Sequence, residues 1–318
     1  MEKTETFCIA GHVIDVVFAD ANMGDIDLLP SFEPFRKQEC PNGGKLFTLH
    51  VDDSLRPLKK DNAELIGTFD TGNGDTIVSC TADGRYQYII KDIHGNSCCL
   101  LQADSDFVNA TCALNGNSQM RHFGLNNALM MLYAFRGSFF QTLLIHASLV
   151  RENGYGYAFI AKSGTGKSTH TSLWLKHIPN TDLMNDDNPI VRIIDGKAYI
   201  YGSPWSGKTP CYRDVVAKLG AITQIARANA NSVERLSPTA AFAHILPACS
   251  TMKWHKAVFR NTYDTVISII EASPRNYVLH CLPDKEAALV CHEAISLSAK
   301  HTDENTSDEC LSTPPIQQ

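Results

Sequence analysis

Apolar and polar positions change their rhythm at about residue 120. Before it, short β-branched and apolar runs alternate with glycine-rich turns. Phe7–Ala19 is such a run broken by Gly11–His12, and Lys45–Val51 follows the turn signal Pro41-Asn42-Gly43-Gly44. From Ala63 to Gln102 the turns Thr71-Gly-Asn-Gly-Asp75, Ala82-Asp-Gly84 and Ile93-His-Gly-Asn96 supply the positive-φ residues that tight hairpins need. The pattern predicts an antiparallel meander, with no internal repeat of fixed period. Beyond residue 120 helical spacing appears. Leu125, Leu129, Leu132 and Tyr133, with Ala128 and Met130–Met131 between them, predict a buried helix over Leu125–Phe135 whose Met and aromatic stripe is core packing. Strands are expected at Thr142–Val150, Gly156–Ala161, Pro189–Ile194, Ala198–Gly202, Thr265–Glu271 and Tyr277–Cys281. Helices are expected near Lys167–Lys176, Thr239–Leu246 and Asp284–Ser298. The last residues, HTDENTSDECLSTPPIQQ, have almost no apolar content and read as a disordered tail.

Length agrees with this division, since 318 residues at roughly 150 per domain suggest two domains. The expected organisation is a smaller antiparallel β-rich N-terminal domain over residues 1–119, an α/β domain with a mixed sheet over 120–300, and the tail 301–318. Hydrophobic residues at 44% and charged residues at 19% are an ordinary globular balance. A net charge of −6 lacks the electrostatic footprint of a nucleic-acid binder or a polybasic membrane anchor. The longest apolar stretches, around Ala128–Phe135 and Thr142–Val150, fall far short of the ~20 residues of a spanning helix, so no membrane partner is expected. The first residues carry Glu2, Glu5 and Asp15 without a long apolar run, so no secretory leader is expected either. The 11 cysteines form no C-x-x-C pair, which argues against zinc and against a disulfide framework. Reduced, buried thiols in a cytoplasm are the expectation.

The sharpest chemical signal is Ala161-Lys-Ser-Gly-Thr-Gly-Lys-Ser168, placed between an apolar strand and a helix-compatible stretch. Gly164 and Gly166 let backbone N–H groups turn inward as an anion nest, and the following helix adds its positive dipole end. Lys167 can reach the β- and γ-phosphates, and the Ser168 hydroxyl can hold a Mg²⁺ that bridges them. The first position of G-x-x-x-x-G-K-[ST] is Ala161 rather than Gly, which is still small enough for close approach.

In Asn185-Asp186-Asp187-Asn188, Asp186 lies eighteen positions beyond Ser168. Adjacent acids are usually solvated turn charges, but beside a phosphate loop they fill two roles. One carboxylate can take the proton of an attacking hydroxyl, and another can support Mg²⁺. A third element follows from pairing arithmetic. If Asn153–Gly154 closes a two-residue hairpin, facing residue numbers sum to 307, and His146 lies opposite Ala161. His146 is then either a satisfied core histidine or a neighbour of the phosphates. The corner Tyr201-Gly-Ser-Pro-Trp-Ser-Gly-Lys208 offers Ser206 or Lys208 as phosphate or substrate contacts, with Arg213 close behind; a plain strand-to-loop corner is the alternative.

These residues, in this order, resemble the catalytic domain of HPr kinase/phosphorylase and, more broadly, the fold group it shares with phosphoenolpyruvate carboxykinase. The match is carried by His146-Ala147-Ser148, the loop Ala161–Ser168 with Thr169, Asp186-Asp187, and the Gly-rich corner Gly202–Lys208. It covers about residues 140–210 well, is loose to about 300 and is absent from 1–120. The resemblance implies an α/β carboxykinase/HPr-kinase-like P-loop core in which Ser163, Gly164, Thr165, Gly166, Lys167, Ser168 and Thr169 bind the nucleotide. It implies Lys167 on the phosphates, and one of Asp186 and Asp187 as base with the other supporting the metal. Ser168 with Asp187 is the expected metal pair, the two acids' roles being interchangeable at this stage. His146 would stand near the transferred phosphoryl group. Where HPr enzymes carry an R-G-x-G segment and a further acid, this chain has Gly202-Ser-Pro-Trp-Ser-Gly207, so HPr itself and the phosphorylase direction are not carried over.

The expected activity is that of an HPr-kinase-like enzyme: Mg²⁺-dependent phosphoryl transfer from ATP, or ADP, to a hydroxyl of a peptide serine or small molecule. Partners are then a nucleotide and a hydroxyl-bearing acceptor, with self-assembly into a homo-oligomer left open. The competing class is a nucleotide-binding regulator that transfers nothing and signals through the β-domain, and a third is simple hydrolysis.

Overall fold

A computed structural model describes residues 2–20, 26–37, 40, 44–207 and 209–297. The chain is mixed α/β and forms two compact units, residues 1–137 and 138–318. The division therefore falls after Gly137, and the helix expected to open the second domain belongs to the first unit.

In the first unit, β1 (Lys3–Ile9), β2 (His12–Phe18), β3 (Gly44–Val51), β4 (Glu64–Asp70), β5 (Asp75–Cys80), β6 (Tyr86–Lys91), β7 (Ser97–Ala103) and β8 (Asn109–Leu114) precede α1 (Ser118–Gly137). The meander is present: β4 to β8 pair antiparallel in sequence, with turns at Gly72, Gly74, Gly84 and Gly95 in positive φ. The sheet as a whole is nevertheless mixed, because β3 lies parallel to both β2 and β8. This corrects the expectation of a wholly antiparallel N-terminal sheet. The long excursion between β2 and β3 allows the parallel crossover, which a tight hairpin does not. The turn signal at Pro41–Gly43 lies outside the described residues.

Cys8 and Cys40 are joined by a disulfide, their Cα atoms 5.7 Å apart. The expectation of reduced thiols throughout is thus corrected at one pair, and the cysteine argument for a reducing compartment falls with it. The other cysteines among the described residues are free and buried, apart from half-buried Cys80.

The second unit runs β9 (Thr142–Leu144), β10 (Ala147–Glu152), β11 (Tyr155–Ile160), α2 (Lys167–His177), β12 (Thr181–Asp187), β13 (Ile190–Ile194), β14 (Lys197–Tyr201), β15 (Val216–Arg227), β16 (Ser232–Arg235), α3 (Pro238–Ile245), α4 (Lys256–Ala272), β17 (Asn276–Cys281) and α5 (Lys285–Ile295). Its mixed sheet has the order β12-β10-β11-β15-β14-β13-β9. The first residues of β15 also pair with β14, while its end pairs with β17. Both faces are covered, as the alternation along β11 shows. Ala158 and Ile160 join the core beneath α3 and α4, whereas Tyr157 and Phe159 join the core with Trp174 of α2 and Ala287, Ala288 and Cys291 of α5.

Two expectations are corrected in this unit. Thr265–Glu271 is the C-terminal part of helix α4, not a strand. Val258, Thr262, Thr265, Val266, Ile269 and Ile270 are buried at helical spacing, so burial of one apolar face outweighs the weak β preference of the branched residues. Thr142–Val150 is interrupted at Ile145–His146, where the His146 amide turns away to the Ala248 carbonyl at 2.7 Å. The final helix ends at Ile295, and the expected tail 301–318 lies outside the described residues, as does Lys208. Among the described residues no helix is long and apolar enough to cross a membrane.

Candidate functional site

Strand β11 delivers the chain into the loop 161–166, and α2 leaves it at Lys167. Gly164 and Gly166 hold φ of +75° and +128°, conformations that L side chains rarely adopt, so both positions need glycine. Helix α2 has no side-chain cap at Gly166. No side chain of the cap residue takes its first-turn amides, and such amides are the local arrangement that an anion requires. Ser163 and Gly164 are exposed, Thr165 and Gly166 half-buried, and Ser168 and Thr169 exposed on the first turn.

Strands β10 and β12 bring the remaining groups to this loop. β10 lies between β11 and β12, with Ala147 paired to Ile160 on one side and to Asp187 on the other. The pairs Ala147–Ile160 and Glu152–Tyr155 keep the expected hairpin sum, and His146 stands one residue beyond the paired strand. Lys167 Nζ donates to His146 Nε2 at 2.7 Å, and His146 Nδ1 lies 3.0 Å from Asp187 Oδ1. An ammonium can only donate, so Nε2 carries the lone pair and Nδ1–H donates to the carboxylate. Lys167 also reaches the Ala161 carbonyl at 3.4 Å. Burial holds its ammonium below the ordinary lysine range, against the opposing pull of Asp187 and Asp186.

Asp186 has different partners. It is 5% exposed and its Oδ1 accepts from Ser168 Oγ at 2.9 Å and from Ser148 Oγ. Asp187 is half-buried and accepts from Asn188 Nδ2 at 2.8 Å besides His146. The sequence pairs Ser168 with Asp187; the structure brings Ser168 to Asp186 and leaves Asp187 with the histidine. The geometry thus separates two acids that the sequence leaves interchangeable.

Asn185 ties this strand end to the Gly-rich corner. Fully buried, it donates to Ser203 Oγ at 3.1 Å and the Trp205 carbonyl at 3.0 Å, and accepts from the amides of Asp187 and Asn188. The Gly207 amide donates to the Asp186 carbonyl at 2.9 Å, and Ser206 bridges to Asp187. Of the corner residues, Ser206 therefore neighbours the acids. Arg213 instead binds Asp182, which Arg151 also holds, so its role is to fasten the loop to β12. Ser148, Asn185 and Ser203 lie inside the motifs the sequence offers, but the sequence assigns none of them a role in the site. Ser148 shares a face with His146 by strand alternation, but its partner becomes visible only once β12 is known to pair with β10.

Behind the first turn of α2, His170 is 3% exposed and accepts from Trp174 Nε1 at 3.0 Å, its ring edge-on to Phe159. Burial pulls its pKa from the ordinary 6.5 down to about 4. The folded chain thus stays neutral at His170 where the unfolded chain takes up a proton. This contribution to stability is complete above pH 6.5 and is lost as pH falls towards about 4. Between pH 8 and pH 5 it amounts to about 2 kcal/mol. In urea unfolding, a His170→Gln variant should lose that much less stability over the same interval; an unchanged pH dependence would refute the assignment.

Set against protein-family models and against curated proteins, this chain matches none. The site itself presents a glycine loop at a helix start, a lysine, and two carboxylates with separate partners.

Proposed function

We propose that this chain is a phosphotransferase with a P-loop core of the carboxykinase/HPr-kinase type, moving a phosphoryl group from ATP (or ADP) to a hydroxyl on a peptide serine or small molecule. The observation that carries the reading is the continuous contact Lys167–His146–Asp187 beside the Ser168–Asp186 pair, all at the mouth of one glycine loop. An isolated anion site would need the loop and the lysine. It would not need a carboxylate held by a histidine next to them.

In this reading the loop amides and the α2 N-terminus receive the polyphosphate, and Lys167 moves its ammonium from His146 Nε2 to the phosphoryl oxygens. Asp187, oriented by His146 Nδ1–H and Asn188, accepts the proton of the acceptor hydroxyl. Asp186, buried under two serine hydroxyls, holds Ser168 in a single orientation. The donor set suits Mg²⁺, because a hydroxyl and a carboxylate are hard oxygen ligands and this ion takes only one or two carboxylates, completing its shell with water and phosphate. Ser168 and Asp186 would hold it, and it would supply charge neutralisation between the phosphates. That no three acidic, His or Cys side chains converge as a ready cage among the described residues is compatible with such a site.

Incubation with γ-labelled ATP, Mg²⁺ and pools of serine peptides and hydroxylated metabolites tests the reading. Label on an acceptor hydroxyl is expected. Release of inorganic phosphate alone would make the chain a hydrolase, and binding without turnover would make it a regulator.

A further inference from the structure

We propose that Arg227 is a positioning residue that sets the peptide planes of the phosphate loop. The inference rests on the phosphate-binding reading and adds to it a residue outside the motif, 62 positions from Thr165 in sequence. Arg227 is the last residue of β15, paired with Cys281 of β17 and one strand over from β11. Its backbone is therefore anchored by β17 at the end of an inner strand, although its side chain is exposed. The guanidinium Nε donates to the Thr165 carbonyl at 3.1 Å, and Nη2 donates to the Gly164 carbonyl. Among the described residues it has no carboxylate partner.

Those two carbonyls belong to consecutive peptide units at the tightest point of the loop, between the positive-φ residues Gly164 and Gly166. In a planar trans peptide the C=O and N–H point in opposite directions. Holding the Thr165 carbonyl on Arg227 aims the Gly166 amide to the far side, and holding the Gly164 carbonyl does the same for the Thr165 amide. The Thr165 amide in turn donates to the Lys162 carbonyl at 3.1 Å. Glycine permits these planes to rotate at little cost, so a nest built on two glycines needs an outside group to select one arrangement. A guanidinium fork meets two adjacent carbonyls at once, whereas an ammonium is a single point charge.

The test uses the full chain with Arg227→Ala and Arg227→Lys. Two readouts are taken: amide hydrogen exchange at Thr165 without nucleotide, and affinity for MgATP with adenosine as the control. For Arg227→Ala we expect exchange at Thr165 to quicken and MgATP affinity to weaken, each about ten-fold, the equivalent of one charge-assisted hydrogen bond. Adenosine binding and the thermal midpoint should not change, and Arg227→Lys should recover part of both losses. Unchanged exchange at Thr165 in Arg227→Ala overturns the proposal, including the case in which ATP affinity falls, since Arg227 would then touch phosphate directly. Faster exchange in a chain whose wild type binds no ATP would uphold the clamp and remove the nucleotide reading instead.

Discussion

Replacing Lys167 by alanine is expected to lower phosphoryl transfer by about 10²–10³-fold, the usual cost of one preorganised charge donor at a developing anion. Lys167 sits half-buried, with its ammonium on His146 and burial holding its pKa down. It is thus a desolvated charge whose attraction for a phosphoryl oxygen is stronger than that of a solvated lysine. Truncation leaves His146 Nε2 without its donor but removes no apolar packing from either core, so the thermal midpoint should stay close to that of the wild type. Steady-state transfer with labelled ATP checks this. Full turnover by Lys167→Ala would show that the loop lysine does not meet the transferred group.

The second large effect divides the acids. Asp187→Asn keeps the size of the side chain and the contact with Asn188, but removes the charge that accepts a proton and orients His146. Transfer should fall by about 10²–10⁴-fold, the range for loss of a positioned general base, with nucleotide affinity little altered. Asp186→Asn acts elsewhere. An amide oxygen can still accept from Ser168 and Ser148, so the fold is kept, while the loss of charge beside Ser168 should raise the Mg²⁺ concentration needed for half-maximal rate. Wild-type phosphotransfer in the double variant would sink both assignments.

Much of this site was legible in the sequence because its parts are local. The loop from Ala161 to Ser168 needs only a strand, two glycines and a helix start, and the Asn153–Gly154 turn fixes the β10–β11 register by itself. What was not legible depends on pairing between distant segments. Ser148 meets Asp186 because β12 runs antiparallel to β10, and no local pattern marks that edge. Arg227 reaches the loop because β15 lies parallel beside β11; Lys218, Gly220, Thr223 and Gln224 interrupt the apolar run of β15 and hide it as a strand. The β-branched stretch Thr265–Ile270 shows the converse failure, in which local propensity pointed to a strand and packing chose a helix. In the first unit the meander followed from its glycine turns. The parallel placement of β3 did not, because the turn signal Pro41–Gly44 marks where that strand starts and not which strands it pairs with.

The central claim is that the loop Ser163–Lys167 receives a polyphosphate opposite Asp186 and Asp187, on its main-chain amides other than that of Thr165, which the Lys162 carbonyl holds. Backbone amide resonances followed during titration of the ¹⁵N-labelled chain with MgATP test it most directly. The account predicts the largest shifts at Ser163–Thr169, with smaller ones at His146, Asp186 and Asp187. Saturating nucleotide that leaves the loop amides unmoved would contradict it.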